Sequence, residues 1–362
     1  MLEEVLNNKT LIDSQNKELF TAIFKDAGKD ISTFVVENIS LEHPKSVFYF
    51  PEKGTYEHEV DYSNIRSIVD FRKVNYSRDI NKYFISVNKL LPDAGLYIGC
   101  FESYQNRKAK IFKKVGKTLG LIIWVFDLVL NRILPKLNLT KDLYKLIRGN
   151  KYKVISLAET LGRTVYCGFE VVDFKVVGNS TYFCVIKTSE PKNDKDPSYG
   201  PFFKMQRIGK GGKTIGVYKL RTMHPYSEYL QNFVVQLNGY DEVGKPKNDF
   251  RVAGWGKVLR KVWLDELPQI LNVLKGELGL VGVRPLSQFR YNQLPLDIKN
   301  QRIKYKPGCI PPYVALNMPD AIGNIEAERI YIMEMKKNKL VTPVRYFFMA
   351  VFNILSRRIQ SA

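Results

Sequence analysis

Apolar positions change their spacing several times along this chain, and each change marks an element. Residues 1–30 read as one or two polar helices. Between residues 34 and 103 the pattern is mixed α/β. Val47-Phe48-Tyr49-Phe50 is a short apolar run stopped by Pro51, which predicts a strand. Ile80, Tyr83, Phe84, Val87 and Leu91 recur at helical spacing, and Pro92-Asp93-Ala94-Gly95 turns the chain into the strand Leu96-Tyr97-Ile98-Gly99-Cys100. The basic run Arg107-Lys108-Ala109-Lys110 opens the next stretch. Apolar residues follow over 119–134, interrupted by Asp127, Asn131 and Arg132. That stretch is too short and too polar for a bilayer span, which needs roughly 20 apolar residues. A basic helix carrying Trp124 and Phe126 suits a membrane interface instead, with a soluble helix buried between domains as the alternative. Pro135 ends it, and residues 137–149 form a second amphipathic segment.

Residues 151–190 read as a small α/β insert: a helix over 156–166, then strands at Gly168-Phe169-Glu170-Val171-Val172 and Thr181-Tyr182-Phe183-Cys184-Val185-Ile186. Residues 190–201 are rich in turn formers and mark the main boundary. Beyond it, residues 202–208 and 214–220 alternate like strands around Gly209-Lys210-Gly211-Gly212-Lys213, a composition suited to a tight hairpin turn. Near the C-terminus Phe347, Phe348, Val351, Ile354 and Leu355 lie on one helical face, followed by Arg357-Arg358. This is a second amphipathic candidate, equally readable as a structural helix. Four segments result: 1–105, 106–150, 151–196 and 197–362. The fold class is α/β. The helix–turn–strand over 79–100 resembles the later half of a Rossmann-like methyltransferase domain. The glycine-rich loop that would hold a nucleotide cofactor is missing, so the first segment is expected to be a degenerate Rossmann-like accessory domain.

Composition narrows the picture. With 362 residues, 45% of them hydrophobic, the chain can bury two sizeable cores and is not disordered. The four cysteines, Cys100, Cys167, Cys184 and Cys309, form no CxxC pair, which fits reduced thiols and offers no zinc spacing. Residues 1–20 lack a continuous apolar run, so no signal peptide is expected. The formal net charge is +20. The first 100 residues hold 12 Lys/Arg against 15 Asp/Glu, so the whole excess lies beyond them, most densely over 104–163. Such asymmetry faces a polyanion: nucleic acid, an anionic membrane surface or a nucleotide.

Against that basic background, Asp265 and Glu266 stand side by side before Leu267, Ile270, Leu271 and Leu274, which mark one apolar helix face. Pro268 fits a first helical turn. An Asp there can simply cap the helix. The same helix end also keeps a carboxylate ionised and attracts phosphate, and an ionised Asp can attack phosphorus while its neighbour helps hold a divalent cation. Residues 201–223 contain six Lys/Arg and no acid, and the hairpin is expected to bring Lys219 and Arg221 together at one strand end, where they can grip a diphosphate. Gly276 should end the carboxylate helix. Arg284 follows in a loop fixed by Pro285. Each feature alone has a plain structural reading: cap, solvated hairpin or ion pair.

Taken in order they resemble the bacterial sugar transferases that are monotopic phosphoglycosyl transferases. The matching pieces are Ser198-Tyr199-Gly200-Pro201, Arg207-Ile208-Gly209-Lys210-Gly211-Gly212-Lys213, Tyr218-Lys219-Leu220-Arg221-Thr222-Met223, Asp249-Phe250-Arg251-Val252, Gly256-Lys257-Val258-Leu259-Arg260, Leu264-Asp265-Glu266-Leu267-Pro268-Gln269, Asn272-Val273-Leu274-Lys275-Gly276-Glu277, Leu280-Val281-Gly282-Val283-Arg284-Pro285 and Lys306-Pro307-Gly308. The resemblance covers about 197–308. It implies an α+β catalytic domain over 197–362 with membrane-interface amphipathic helices, at the cytoplasmic face of the bacterial inner membrane. It implies that Asp265 attacks a UDP-sugar, that UMP leaves, and that undecaprenyl phosphate takes the phosphosugar, initiating surface polysaccharide assembly. Glu266 would coordinate Mg²⁺, and Lys219, Arg221, Arg260 and Arg284 would hold phosphates. UDP-sugar, undecaprenyl phosphate and an anionic membrane surface are then the partners, nucleic acid is not, and a homodimer stays open. A non-catalytic scaffold or regulator with the same fold is the alternative. Two departures stand out. The long apolar re-entrant helix that family members carry just before the SxGP segment is replaced by the insert. After Lys306-Pro307-Gly308 the chain reads Cys309-Ile310-Pro311-Pro312-Tyr313-Val314-Ala315 where the family has threonine-glycine and asparagine-glycine-arginine motifs.

Overall fold

A computed structural model describes residues 14–39, 44–53, 61, 63–134, 140, 143–144, 146, 154–192, 200, 202–239, 246–261, 263–356 and 359. The chain divides into two compact units. One comprises Met1–Tyr199 with His224–Gly239 and Pro246–Arg251, the other Gly200–Met223, Tyr240–Lys245 and Val252–Ala362.

The first unit is built on a five-stranded sheet. Strands β1 (Val47–Phe50), β2 (Ser67–Asp70) and β3 (Leu96–Phe101) are parallel. β5 (Ser180–Lys187) runs antiparallel to both β3 and β4 (Phe169–Val177), giving the order β1-β2-β3-β5-β4. Successive residues of β3 serve opposite faces, as strand geometry requires. Tyr97 and Phe101 join Phe84, Val87, Leu161 and Phe183 in one core. Ile98 and Cys100 join Leu19, Ile23, Phe34 and Val35 in the other. Helices α1 (Ser14–Ala27) and α2 (Lys29–Asn38) supply the second set, and α3 (Ile80–Leu90) part of the first. A sheet covered on both faces is the α/β arrangement expected. The α3 boundaries follow the sequence pattern, because Asp79 accepts a hydrogen bond from the Lys82 N–H as N-cap.

The basic and apolar stretch is two helices, α4 (Tyr104–Val115) and α5 (Lys117–Leu128), separated by Gly116 at φ 78° and extended by a π turn over Val129–Ile133. The break falls at Gly116. The expected one at Pro135 lies outside the described residues, as do most of the second amphipathic segment and Arg357-Arg358. Asp127 does not interrupt an apolar surface at random: Arg107 donates to its two oxygens at 2.7 and 2.6 Å, fastening α5 to α4. Leu119, Leu121, Ile122 and Phe126 stay exposed. Among the described residues no helix is long and apolar enough to cross a membrane.

The organisation differs from expectation in two respects. Strands β4 and β5, assigned by pattern to a separate insert, complete the sheet begun by β1–β3, and α6 (Leu157–Tyr166) packs in the same core. The 224–239 segment also belongs to this unit. Tyr226, Leu230 and Val234 are core residues, and the Tyr226 ring stacks 5.4 Å from Tyr166 with the Arg163 guanidinium 4.3 Å above it. Arg251 is part of the same unit. It is buried, with bidentate bonds to Asp249 and one to Gln231, and is no member of the phosphate-binding set.

The second unit opens with the hairpin β6 (Phe202–Ile208) and β7 (Thr214–Leu220), in full register from Phe202↔Leu220 to Ile208↔Thr214. Gly211 and Gly212 take φ of 69° and 76° in the turn, as their sequence predicts. A parallel pair, β8 (Gly279–Val281) and β9 (Gly308–Ile310), lies against a core of Val283, Val314, Tyr331, Tyr346 and Ala350. The C-terminal helix Val341–Leu355 turns Thr342, Tyr346, Ala350 and Asn353 inward. Its apolar Val344, Phe348, Phe352 and Leu355 are left exposed.

Candidate active site

Helix α7 (Gln231–Asn238) belongs to the first unit; the site forms wholly within the second, beginning at α8 (Gly254–Lys261). The chain leaves α8 through Trp263, a left-handed residue at φ 60°, and enters a 3₁₀ turn over Leu264–Gln269 that runs into the short helix α9 (Ile270–Leu274). A bulky residue at positive φ is strained and persists only where its surroundings enforce it. The strain sits immediately before Asp265 and Glu266.

Neither carboxylate is a helix cap: no side-chain cap bond is made at the start of the 3₁₀ turn or of α9. Asp265 is only 5% exposed. Its Oδ2 lies 3.9 Å from Lys219 Nζ, while its Oδ1 is buried without a hydrogen-bond partner. The half-buried Glu266 accepts from the same Lys219 Nζ at 2.5 Å. Burial pushes the Asp265 carboxyl above the ordinary carboxylate range. Lys219 and Arg260 oppose this, Glu266 adds to it, and burial wins. The helix end expected to favour the charged form of Asp265 does not set the direction of this shift. The turn is 3₁₀ and α9 has five residues, too short for a strong end dipole, so desolvation dominates.

Three contacts fix this geometry. Asn272, fully buried on α9, accepts from the Tyr218 N–H at 3.0 Å and donates to the Gly216 carbonyl at 2.8 Å and to Glu277 Oε2 at 2.6 Å. It thereby joins the carboxylate turn to β7 and sets Lys219 opposite the acids. Arg260 Nε donates to Thr222 Oγ1 at 2.9 Å. Gly256 allows α8 to come that close, since a Cβ there would sit 2.1 Å from the Thr222 carbonyl oxygen. The apolar Leu267, Ile270, Leu271 and Leu274 are exposed beside the acids, Leu274 to 79%, so this face is not a core-facing one.

Of the sequence-predicted residues, Lys219, Arg260, Asp265 and Glu266 come together. Arg221 does not join them. It is buried, its Nε donates to the Gly200 carbonyl at 2.8 Å, and its guanidinium lies 5.3 Å from the Phe203 ring. Arg284 is exposed, with its guanidinium 5.4 Å from the Tyr313 ring. Both Arg284 and Glu266 act electrostatically on the buried Tyr313 hydroxyl, which burial pushes above its ordinary value, so Tyr313 bridges the arginine and the acids. Cys309 shares the neighbourhood: burial, with Glu266 adding to it, pushes its thiol up to about 11. Arg207 is felt by Arg284 as well. Burial and that second positive charge both lower its pKa. Sequence reasoning passed over Tyr313, Cys309, Asn272 and Arg207 as site residues. The signal for the first two lay in the departure after Lys306-Pro307-Gly308.

The arrangement can bind an anion carrying more than one charge and present to it a desolvated carboxylate with a bare oxygen, the layout of a phosphate-ester-handling site. Residues 184–355 match the model of the bacterial sugar transferase family. The chain is 41% identical over 124 residues to the uncharacterized sugar transferase EpsL of Bacillus subtilis (strain 168), which is 34% of this chain and 54% of that protein. It is 43% identical over 86 residues to the undecaprenyl-phosphate galactose phosphotransferase of Salmonella typhimurium, 22% of this chain and 18% of the relative. It is 38% identical over 102 residues to the UDP-N-acetylgalactosamine-undecaprenyl-phosphate N-acetylgalactosaminephosphotransferase of Aeromonas hydrophila, covering 28% and 22%. The chain thus spans between about a fifth and about half of these relatives.

Two stability outcomes follow. Alanine in a helix interior normally gains up to about 1 kcal/mol over glycine, but the contact at Gly256 forces a shift typical of overpacking, about 1–3 kcal/mol. Gly256→Ala is therefore expected to lower the melting temperature, and a rise would show that the Thr222 approach is slack. For Asp265 the folded pKa lies above the unfolded value near 3.8, so the folded state holds the proton more tightly and stability falls as pH rises through that window. Asp265→Asn removes this term. It should melt at or above wild type at pH 7, with the difference vanishing toward acid pH. A lower melting temperature at pH 7 would mean that attraction to Lys219 and Arg260 outweighs burial.

Proposed function

We propose that this chain is a phosphoglycosyl transferase that moves a sugar-1-phosphate from a UDP-sugar to undecaprenyl phosphate through an Asp265 intermediate, initiating surface polysaccharide assembly. The observation that carries the reading is the buried, unpartnered Oδ1 of Asp265 beside Lys219 and within the field of Arg260. An Asp oxygen attacks the β-phosphorus of the donor. The bond from that phosphorus to the oxygen bridging to the α-phosphate breaks, and UMP leaves with the electron pair. An oxygen of undecaprenyl phosphate then attacks the phosphosugar–aspartate, regenerating the Asp265 carboxylate and giving a polyprenyl diphosphate sugar. Lys219, Arg260 and Arg284 offset charge that builds on the phosphoryl oxygens. The buried Arg221 holds the backbone at Gly200. The names of the Salmonella and Aeromonas relatives support the donor and acceptor classes.

Mg²⁺ fits this donor set. Two adjacent carboxylates, one with a bare oxygen, supply the hard ligands that Mg²⁺ combines with substrate phosphates and water. Glu266, with Asp265 beside it, would hold the ion. When bound it supplies charge neutralisation on the diphosphate.

The exposed apolar side chains of α4 and α5 support a reading in which the protein lies at a membrane surface. Their polar groups pair with one another through Arg107 and Asp127, leaving exposed Leu119, Leu121, Ile122 and Phe126 next to Lys110, Lys113, Lys114 and Lys117. Apolar anchors beside lysines fit the cytoplasmic, anionic leaflet. The first unit's sheet is read as a degenerate Rossmann-like accessory domain.

UMP release is expected from at least one UDP-sugar when donors are screened with undecaprenyl phosphate and Mg²⁺. Asp265→Asn should abolish both release and the covalent intermediate, and the acid limb of the wild-type rate should lie above the ordinary carboxylate value. Wild-type-like turnover by that variant would falsify the nucleophile, and silence with every donor would favour a scaffold. Ile122→Glu with Phe126→Glu should weaken co-sedimentation with anionic phospholipid vesicles about tenfold or more, because each buried apolar side chain contributes about 1.5–3 kcal/mol. Unchanged co-sedimentation would remove α5 from the membrane contact.

A further inference from the structure

We propose that Glu328 and Arg302 are positioning residues that hold Arg284 ready for phosphate. This rests on the phosphate-binding role given to Arg284 above. Glu328 lies in the long helix Ala321–Lys337, and Arg302 ends the helix Leu296–Arg302. Both are buried, and they form an ion pair with Arg302 Nε 3.3 Å from Glu328 Oε2. The pair grips one residue on both sides of its Cα, through the two peptide units that flank it. The Arg284 N–H donates to Glu328 Oε1 at 2.9 Å, and Arg302 Nη2 donates to the Arg284 carbonyl oxygen.

Burying an ion pair costs desolvation that a well-packed apolar pair would avoid, so its retention calls for a role beyond cohesion. The residue it grips is the one in this loop that carries an exposed guanidinium. Among the described residues no carboxylate pairs with that guanidinium; it lies against the Tyr313 ring and within reach of the charge of Arg207. Arg302 pairs with Glu328 and so offsets the negative charge that Glu328 brings near Arg284. One carboxylate alone would fix the loop but neutralise it. The exposed side chain is thus held at its root and backed by an aromatic face, which cuts the ordering cost of binding an anion.

The test is a double-mutant cycle on the full chain in lipid nanodiscs, read by calorimetric binding of UDP and by UMP release from the donor the screen selects. Arg284→Ala removes the guanidinium but keeps the backbone N–H and carbonyl that the pair grips. It should weaken UDP binding or kcat/KM about tenfold. Arg302→Lys keeps the charge opposite Glu328 but cannot bridge to the Arg284 carbonyl. It should cost several-fold in the wild-type background and less than twofold in the Arg284→Ala background, with little change in melting temperature. Glu328→Gln, which retains an acceptor for the Arg284 N–H, is read in the same way should Arg302→Lys fail to fold. An equal cost in both backgrounds means a merely structural pair and overturns the proposal. If Arg284→Ala itself changes nothing, the phosphate role of Arg284 fails first, and the positioning role falls with it.

Discussion

A carboxylate held out of water next to another carboxylate is the constraint around which the second unit is arranged. Burial of Asp265 raises the free energy of its charged form more than Lys219 and Arg260 lower it. The surroundings must therefore be stiff enough to keep the group from moving into solvent. Stiffness comes from particular contacts. Asn272 ties the carboxylate turn to β7, Gly256 lets α8 press against Thr222, and Trp263 accepts a strained backbone to make the turn. Folding free energy released across the Tyr331, Tyr346 and Ala350 core offsets these local costs. A desolvated oxygen without a hydrogen bond is a poor structural element and a good nucleophile.

Much of this was legible in the residues. The β6–β7 hairpin follows from strict alternation around a Gly-Lys-Gly-Gly turn, and α3 from helical spacing behind an Asp cap. The acids could be located because a specific order of short motifs surrounds them. Their conformation could not. Period alone does not separate a 3₁₀ turn from the first turn of an α-helix, and Pro268 suits both. Leu267, Ile270, Leu271 and Leu274 have helical spacing, yet they face outward, because spacing identifies an apolar face without saying what covers it. Arg221 alternates with Lys219 as a neighbour should, but a backbone carbonyl captures it just past the end of β7. The clasp on Arg284 involves Glu328, 44 positions away, and no local pattern encodes a contact at that separation.

Domain boundaries were the least legible feature, for a related reason. A composition shift marks residues 190–201, and the division at Tyr199 agrees with it. Short segments that lend one face to another core leave no such mark. Tyr226, Leu230 and Val234 look like an ordinary helix start within the sugar transferase region, yet they fill the first unit's interior. The family relationship and the physical unit are therefore not the same stretch of chain. The first unit is built in part from residues that the sugar transferase match includes.

The central pairing of the first sheet joins β3 to β5, strands about 80 residues apart, and the paired helices α4 and α5 are threaded between them. A chain made from its N-terminus exposes that apolar hairpin on the ribosome well before β5 emerges. Its exposed leucines and Phe126 are present while β3 still has a bare, hydrogen-bonding edge. Synthesis thus imposes a sequence of events in which the α4–α5 hairpin is made before the sheet can close. Interrupting translation between residues 128 and 180 would leave a fragment with an open strand edge, the form most prone to aggregate.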